Sequence, residues 1–399
     1  MTTPNELLAE IDGIGRDRTR GGYSRHVFDH AELELREWFA AQASARGLTV
    51  LPDGNGNLWA WWSEPGDDAV VTGSHLDSVP GGGRFDGPLG VASALSAVDR
   101  LRAEGFRPSR PLAVVVFAEE EGGRFGVPCL GSRLASGATD PETALGLRDE
   151  AGTTFAEAMR AAGMDPRLAG PDRTNLGRVG RFVELHVEQG RGLIDRGSAV
   201  GVASAILAHG RWRFRFTGQG NHAGATPMGD RADPMLPAAR LVPEARSAAL
   251  RFDDSRATVG RLRPNPGGTN VIAESVDVWL DARAHRDADT RALVDELSGR
   301  AEELAAQEGC SVRLSEESYA GGVCFDSGVR DELTALLGAP ALPTGAGHDA
   351  GVLSARTPAG MLFVRNPTGV SHAPQEHAEQ DDCTAGAEAL TEVLRRWSR

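Results

Sequence analysis

The chain has 399 residues, 40% hydrophobic and 25% charged, and a formal net charge of -14. That is long enough for two domains with a sizeable core, and the acidic balance excludes nucleic acid or an anionic membrane as the main partner. All 42 basic residues are arginine, which removes a P-loop lysine and a Schiff-base lysine at once. Cys129, Cys310, Cys324 and Cys383 form no CxxC pair, so reduced thiols in a cytoplasmic protein are expected. The first residues carry acids rather than a signal-peptide core. No apolar run approaches the ~20 residues that span a bilayer.

In chain order, helical spacing covers residues 5–11 and 28–46, with Gly47 as a stop. Residues 48–51 and 58–62 read as strands around the turn PDGNGN, and 69–72 as a buried strand. An amphipathic helix follows over 87–104, closed by Gly105. The run LAVVVFA (112–118) is apolar throughout, as in a strand covered on both faces of a parallel sheet. Residues 182–187 and 361–364 are two more such runs.

A segment of different texture spans 206–322. Trp212, Phe214 and Phe216 alternate with Arg211, Arg213 and Arg215, the signature of a half-buried strand. A helix (234–250), two strands (258–262 and 276–284), a long helix (288–308) and a strand (310–314) complete a β-α-β-β-α-β order, the ferredoxin-like pattern. The expectation is a discontinuous catalytic domain, 1–205 with 323–399, interrupted by an inserted domain at 206–322.

Polar clusters sit at or just beyond the ends of four apolar runs: His75, Asp77 and Asp86; Glu119 to Glu121; His186 to Gly190; and His372. Open α/β sheets place ligand sites at strand carboxyl ends. A catalytic pair of divalent metals needs His and carboxylate ligands, one of them bridging. The candidates are His75, Asp86, Glu121, His186 and His372. Asp77 is placed to accept the second N–H of His75, and Glu120 is free to move a proton. GAGHDAG (345–351) looks like a nucleotide loop, but its spacing is wrong for GxGxxG and no clear strand precedes it, so it is set aside.

The stretches GSHLDSVPGGGRFDGPLGV, FAEEEGGRFG, ELHVEQG, NHAGATPM and GVSHAPQEH resemble, in that order, the motifs of the zinc/manganese amidohydrolases of the carbamoylase type. These form the N-carbamoyl-L-amino acid hydrolase, allantoate amidohydrolase and β-ureidopropionase branch of the aminoacylase/carboxypeptidase-like metallohydrolases. The resemblance runs over nearly the whole chain. It implies an α/β fold: a mixed-sheet dinuclear metallohydrolase domain with an inserted ferredoxin-like α+β lid and dimerisation domain. It implies two divalent ions per subunit (zinc or manganese, with cobalt or nickel also accepted), bridged by Asp86. His75 and His186 hold one ion, Glu121 and His372 the other, and Glu120 is the general base. The Asp86–Gly87 peptide is expected cis.

By the same resemblance His222 polarises the scissile carbonyl from the neighbouring subunit of a homodimer joined through the inserted domain. Asn270 and Arg283 bind substrate, Arg283 clamping a carboxylate, and Gln189 meets the ureido group. The implied reaction is hydrolysis of a carbamoyl or ureido C–N bond in a small carboxylate. The alternative is a dinuclear metallopeptidase or N-acyl-amino acid deacylase. Two domains around the site also suggest closure on substrate.

Overall fold

A computed structural model describes residues 2–399. The chain divides into two compact units, one running to Ala205 and resuming at Cys324, the other Ile206–Val323. The first is built on a nine-stranded mixed sheet. Its central strands, in spatial order, are Leu58–Trp61, Leu112–Phe117, Ala69–His75, Val179–Val187, Ala359–Val364 and Val200–Ile206. Those from Leu112–Phe117 to Ala359–Val364 are mutually parallel, while Leu58–Trp61 and Val200–Ile206 flank them antiparallel.

Every residue of Leu112–Phe117 is buried, as its unbroken apolar sequence predicts. Each such valine or leucine contributes roughly 1.5–3 kcal/mol of burial. The Pro88–Ala103 helix is more deeply buried than its amphipathic pattern suggests, with twelve of its sixteen residues inside. The sequence reading missed the reason: a C-terminal helix, Gln380–Trp397, packs on its outer side. Helices over Leu130–Ser136 and Asp349–Leu353 were also missed; both are too short for a periodic signal.

The expected cis bond at Asp86–Gly87 is corrected: among the described residues the cis peptide is Asn265–Pro266. The reversal into the Pro88–Ala103 helix is made instead by Gly87, at φ +85° and ψ -60°. A side chain there would also strike the His75 ring, since a Cβ would lie 2.5 Å from it.

In the inserted unit the strands Ser311–Ala320, Ala208–Thr217, Ser275–Ala284 and Arg256–Asn265 lie in that spatial order, all antiparallel. Helices Met235–Ala249 and Asp287–Gln307 pack on one face. Trp212, Phe214, Phe216, Val276, Val278 and Leu280 point into that core, so the period-two alternation sets which face is covered. This is the ferredoxin-like arrangement.

Candidate metal centre

The strand Ala69–His75 runs three residues further than its apolar stretch and places His75 opposite Phe117. The chain after Phe117 turns at once into Glu119, Glu120 and Glu121. On the next parallel strand His186 lies opposite Phe363, and the loop beyond Val364 carries His372. Adjacent parallel strands thus release their polar residues at the same edge of the sheet.

Asp86 stands at the centre. Its Oδ1 is 3.2 Å from His186 Nε2 and 3.5 Å from His75 Nε2. Its Oδ2 is 3.4 Å from His372 Nε2, which lies 3.2 Å from Glu121 Oε2. Two triads share this one carboxylate: His75, Asp86 and His186, and Asp86, Glu121 and His372. The spacing suits cations, since ligand atoms ~2.1 Å from a tetrahedral ion stand about 3.4 Å apart.

Hydrogen bonding also fits. Nδ1 of His75 meets the Asp77 carbonyl at 3.0 Å, and Nδ1 of His186 the Val187 carbonyl at 2.9 Å. Each carbonyl accepts the Nδ1–H and turns the Nε2 lone pair inward, where both Nε2 atoms are buried with no hydrogen-bond partner. Glu121 Oε1 is a third buried atom without a partner.

Charge makes the same demand. Asp77, Asp86, Glu119, Glu120, Glu184, Asp349 and Glu376 are all buried. Among the described residues no arginine side chain hydrogen-bonds to any of them, so the negative charge calls for cations or protons. Burial opposes charge on His75, yet Glu120, Asp86 and Asp77 raise its pKa well above the usual histidine value. Burial likewise opposes charge on His372, which Glu121 and Asp86 raise to about 9. Burial pushes Glu120 well above the carboxylate range, with Asp349, Glu121 and Glu184 adding to it and His75 opposing. Burial would raise Asp86 too, but the three imidazoles pull it well below. Without ions, protons on the imidazoles take the place of cations, so metal uptake releases them.

The expected role of Asp77 changes in detail. Its carboxylate is 3.7 Å from His75 Nδ1, farther than its own carbonyl, and instead accepts the backbone N–H groups of Glu120 and Glu121 at 3.2 and 3.1 Å. It therefore fixes the turn that presents both glutamates. Glu120 lies outside both triads: its Oε2 is 3.6 Å from His75 Nε2, and the Cys129 thiol approaches its Oε1 at 3.4 Å.

Glu376, which the sequence reading did not single out, ties the two ligand loops together. Its Oε2 accepts the backbone N–H of Phe85 and of Asp86 at 2.8 and 3.0 Å. The Ser371 hydroxyl lies 3.0 Å from both Glu376 Oε1 and Asp86 Oδ2. Gly83 makes room for it, since a Cβ there would come within 2.2 Å of Oε2. Glu376→Ala leaves two buried N–H groups unpaired, at about 1–3 kcal/mol each, and loosens Asp86. Metal titration is expected to show a 10- to 100-fold loss of affinity; unchanged affinity removes Glu376 from this role.

Comparison with known proteins agrees with this geometry. The profile of peptidase family M20/M25/M40 matches residues 71–396. The chain belongs to that family. Within it, the chain is 38% identical to an N-carbamoyl-L-amino acid amidohydrolase of Geobacillus stearothermophilus, over 96% of this chain and 95% of the relative. It is 32% identical to an allantoate amidohydrolase of Escherichia coli K12, over 98% and 96%. Among solved structures, AtUAH in complex with (S)-hydroxyglycine superposes with a TM-score of 0.89 at 29% identity, covering 99% of this chain and 97% of that one. A hydantoinase/carbamoylase family amidase from Burkholderia vietnamiensis has the same TM-score and coverage at 31% identity. This M20 chain is an amidohydrolase of the carbamoylase and allantoate amidohydrolase type, a hydrolase of non-peptide C–N bonds.

The remaining candidates of this M20 chain fall in two places. Gln189 joins the metal centre, its Nε2 2.9 Å from Asp86 Oδ2 and 3.4 Å from His372 Nε2. His222, Asn270 and Arg283 belong to the inserted unit. There His222 and Asn270 line a cleft of ≈ 580 Å³. Nδ1 of His222 accepts the N–H groups of Gly224 and Ala225 at 3.0 and 3.1 Å, so the neutral ring carries its proton on Nε2 and is a donor there. Arg283 forms a two-pronged pair with Asp281, Nε–Oδ1 2.7 Å and Nη2–Oδ2 2.9 Å.

Sequence reasoning set aside one more member. GAGHDAG does follow a strand, Ala341–Thr344, and opens the Asp349–Leu353 helix. His348 packs edge-on against His186 with ring centres 4.5 Å apart, buried, and neither ring nitrogen has a hydrogen-bond partner. Burial, then the charge of His186, holds its pKa well below the usual histidine value. Glu184, two residues before His186 on the same face of the strand, accepts from Ser74 Oγ and the Ala350 N–H. A buried acid inside FVELHV was the available signal.

Proposed function

We propose that the chain hydrolyses the carbamoyl C–N bond of an N-carbamoyl-L-amino acid, releasing ammonia, carbon dioxide and the free amino acid. The observation that carries this is the pair of donor triads sharing Asp86, with Glu120 buried beside them but outside both. The choice of a carbamoyl amino acid over allantoate leans on one relative, the N-carbamoyl-L-amino acid amidohydrolase at 38%; two further carbamoyl-amino-acid amidohydrolases and the allantoate enzyme all stand at 32%.

Two divalent ions, zinc or manganese, held by His75, His186, Asp86, Glu121 and His372 would polarise the carbonyl and acidify a water. Glu120 takes the proton from the attacking water and delivers it to the departing nitrogen. Gln189 orients the ureido group from beside Asp86. His222 offers its Nε2–H to the carbonyl oxygen as negative charge develops, a role worth about 3 kcal/mol. Asn270 and Arg283 take the substrate carboxylate, Arg283 exchanging part of its pairing with Asp281 for a second two-pronged contact.

In this reading the inserted unit is also the dimerisation surface, so that its residues serve a neighbouring subunit. Five of the eight large apolar side chains that are exposed among the described residues, Met228, Leu236, Val242, Leu250 and Val271, lie in that unit.

The test is ammonia release with Mn²⁺ or Zn²⁺ present. N-carbamoyl-L-amino acids are expected to turn over at least tenfold faster than allantoate, and both faster than a dipeptide or an N-acetyl amino acid. A dipeptide as the best substrate overturns the proposal in favour of a peptidase.

A further inference from the structure

The inserted unit carries an open sheet face whose charge is opposite to that of the whole chain. Register puts Arg313, Arg215, Asp277 and Arg263 in one row across the four strands. The next row is Ser315, Arg213, Trp279 and Arg261, then Ser318, Arg211, Asp281 and Thr258. The row after that pairs Arg283 with His209 and Arg256. Eight arginines thus share a face with Asp277, Asp281 and Glu317, in a chain of net charge -14.

Pairing leaves much of that charge uncompensated. Arg215 is matched by Asp277 at 2.8 Å and Arg213 lies 3.5 Å from Glu317. Arg261 stacks over the Trp279 ring, 4.4 Å from its centre. Arg211, Arg263 and Arg313 have no ion-pair partner among the described residues, and with Arg261 all four are exposed. The groups on the face respond to the field. Asp277 is held below its usual pKa by its hydrogen bonds to Arg215, with Arg213 and Arg263 adding to the effect. For His209, burial is the main cause of a lowered pKa, and Arg283 and Arg211 contribute.

We propose that this arginine-lined face collects small carboxylates by electrostatic attraction and supplies them to Arg283 at its end. The proposal rests on the reading of the substrate as a carboxylate that Arg283 receives. From Asp277 to Arg283 the strand covers about 20 Å at ~3.3 Å per residue. The Debye length is ~30 Å at 0.01 M salt and ~8 Å at 0.15 M, so the field spans the face only at low ionic strength. Pre-concentration of this kind raises occupancy, so it appears in KM and not in kcat.

The variant R211Q/R261Q/R263Q/R313Q removes the exposed cations that have no acid partner. With N-carbamoyl-L-amino acid substrate at 10 mM NaCl it is expected to show three- to tenfold lower kcat/KM than the unmodified chain, at unchanged kcat. The two should converge by 300 mM NaCl. A variant that tracks the parent at every salt concentration, or a deficit that persists at 300 mM, overturns the proposal. A second readout needs no turnover: broadening of backbone amide resonances by a nitroxide bearing a carboxylate, compared with its uncharged carboxamide. At low salt the anionic probe is expected to broaden this face at least twofold more than the neutral one, and the excess should vanish in the variant. Equal broadening by both probes overturns the collector. No turnover of N-carbamoyl-L-amino acids by the unmodified chain, together with the expected excess of anionic broadening, would instead count against the functional reading and leave the collector standing.

Discussion

Glu120→Gln is expected to lower kcat by about 10³-fold while leaving two ions bound per chain. Proton transfer by a positioned side chain contributes ~10²- to 10⁴-fold, and glutamine keeps the shape while losing the basic oxygen. Burial raises the glutamate above the usual carboxylate range, and a carboxylate of higher pKa is the stronger acceptor for the water's proton. Because Glu120 belongs to neither donor triad, ion content should hold. The check is steady-state kinetics beside elemental analysis of the purified variant. Turnover within tenfold of the parent, or loss of an ion, sinks the assignment.

Stripping the ions is expected to abolish turnover and to lower thermal stability, with recovery on adding Mn²⁺ or Zn²⁺. An ion present at a hundred times its Kd stabilises by about 2.7 kcal/mol. For a chain of this size that is roughly 3 °C per site. The loss should grow with pH. Burial raises Asp77 to about 6, and burial with Asp86 raises Glu376 to about 7. Acids whose folded pKa is raised hold more protons folded than unfolded, so stability falls as pH climbs toward those values. Burial opposes charge on His372, but Glu121 and Asp86 lift it to about 9, so its contribution is present below ~6.5 and lost as pH rises through about 9. Both trends run the same way. Chelated protein is therefore expected to melt progressively earlier between pH 5 and 9, while ion-loaded protein changes little. Calorimetry of the two forms at three pH values checks this; equal melting temperatures with and without chelator overturn the buried-charge argument.

Much of the centre was legible in the chain because its donors sit in a repeated context. His75 and Glu119 to Glu121 follow apolar runs, and His186 sits inside one, at a sheet edge that parallel pairing makes common to all three. Side chains that act through the backbone were not legible. The carboxylate of Glu376 and that of Asp77 do their work on N–H groups of Phe85, Asp86, Glu120 and Glu121, and nothing in spacing announces such contacts. His348 was hidden by its glycine-rich surroundings, which resembled a different motif. The trans Asp86–Gly87 bond illustrates the limit of resemblance: the turn is made by glycine's φ instead.

The strand Ala359–Val364 lies between Val179–Val187 and Val200–Ile206, yet more than 150 residues separate it from either along the chain. Until it is synthesised, both of its neighbours present bare edges, and His372 has not yet been made. A ribosome-bound chain that already contains the whole inserted unit is therefore still an open sheet with one donor set incomplete. Capture of the ion that needs His372 is therefore a late event in biogenesis, and shortening the chain from its C-terminus should abolish folding of the first unit while sparing the second.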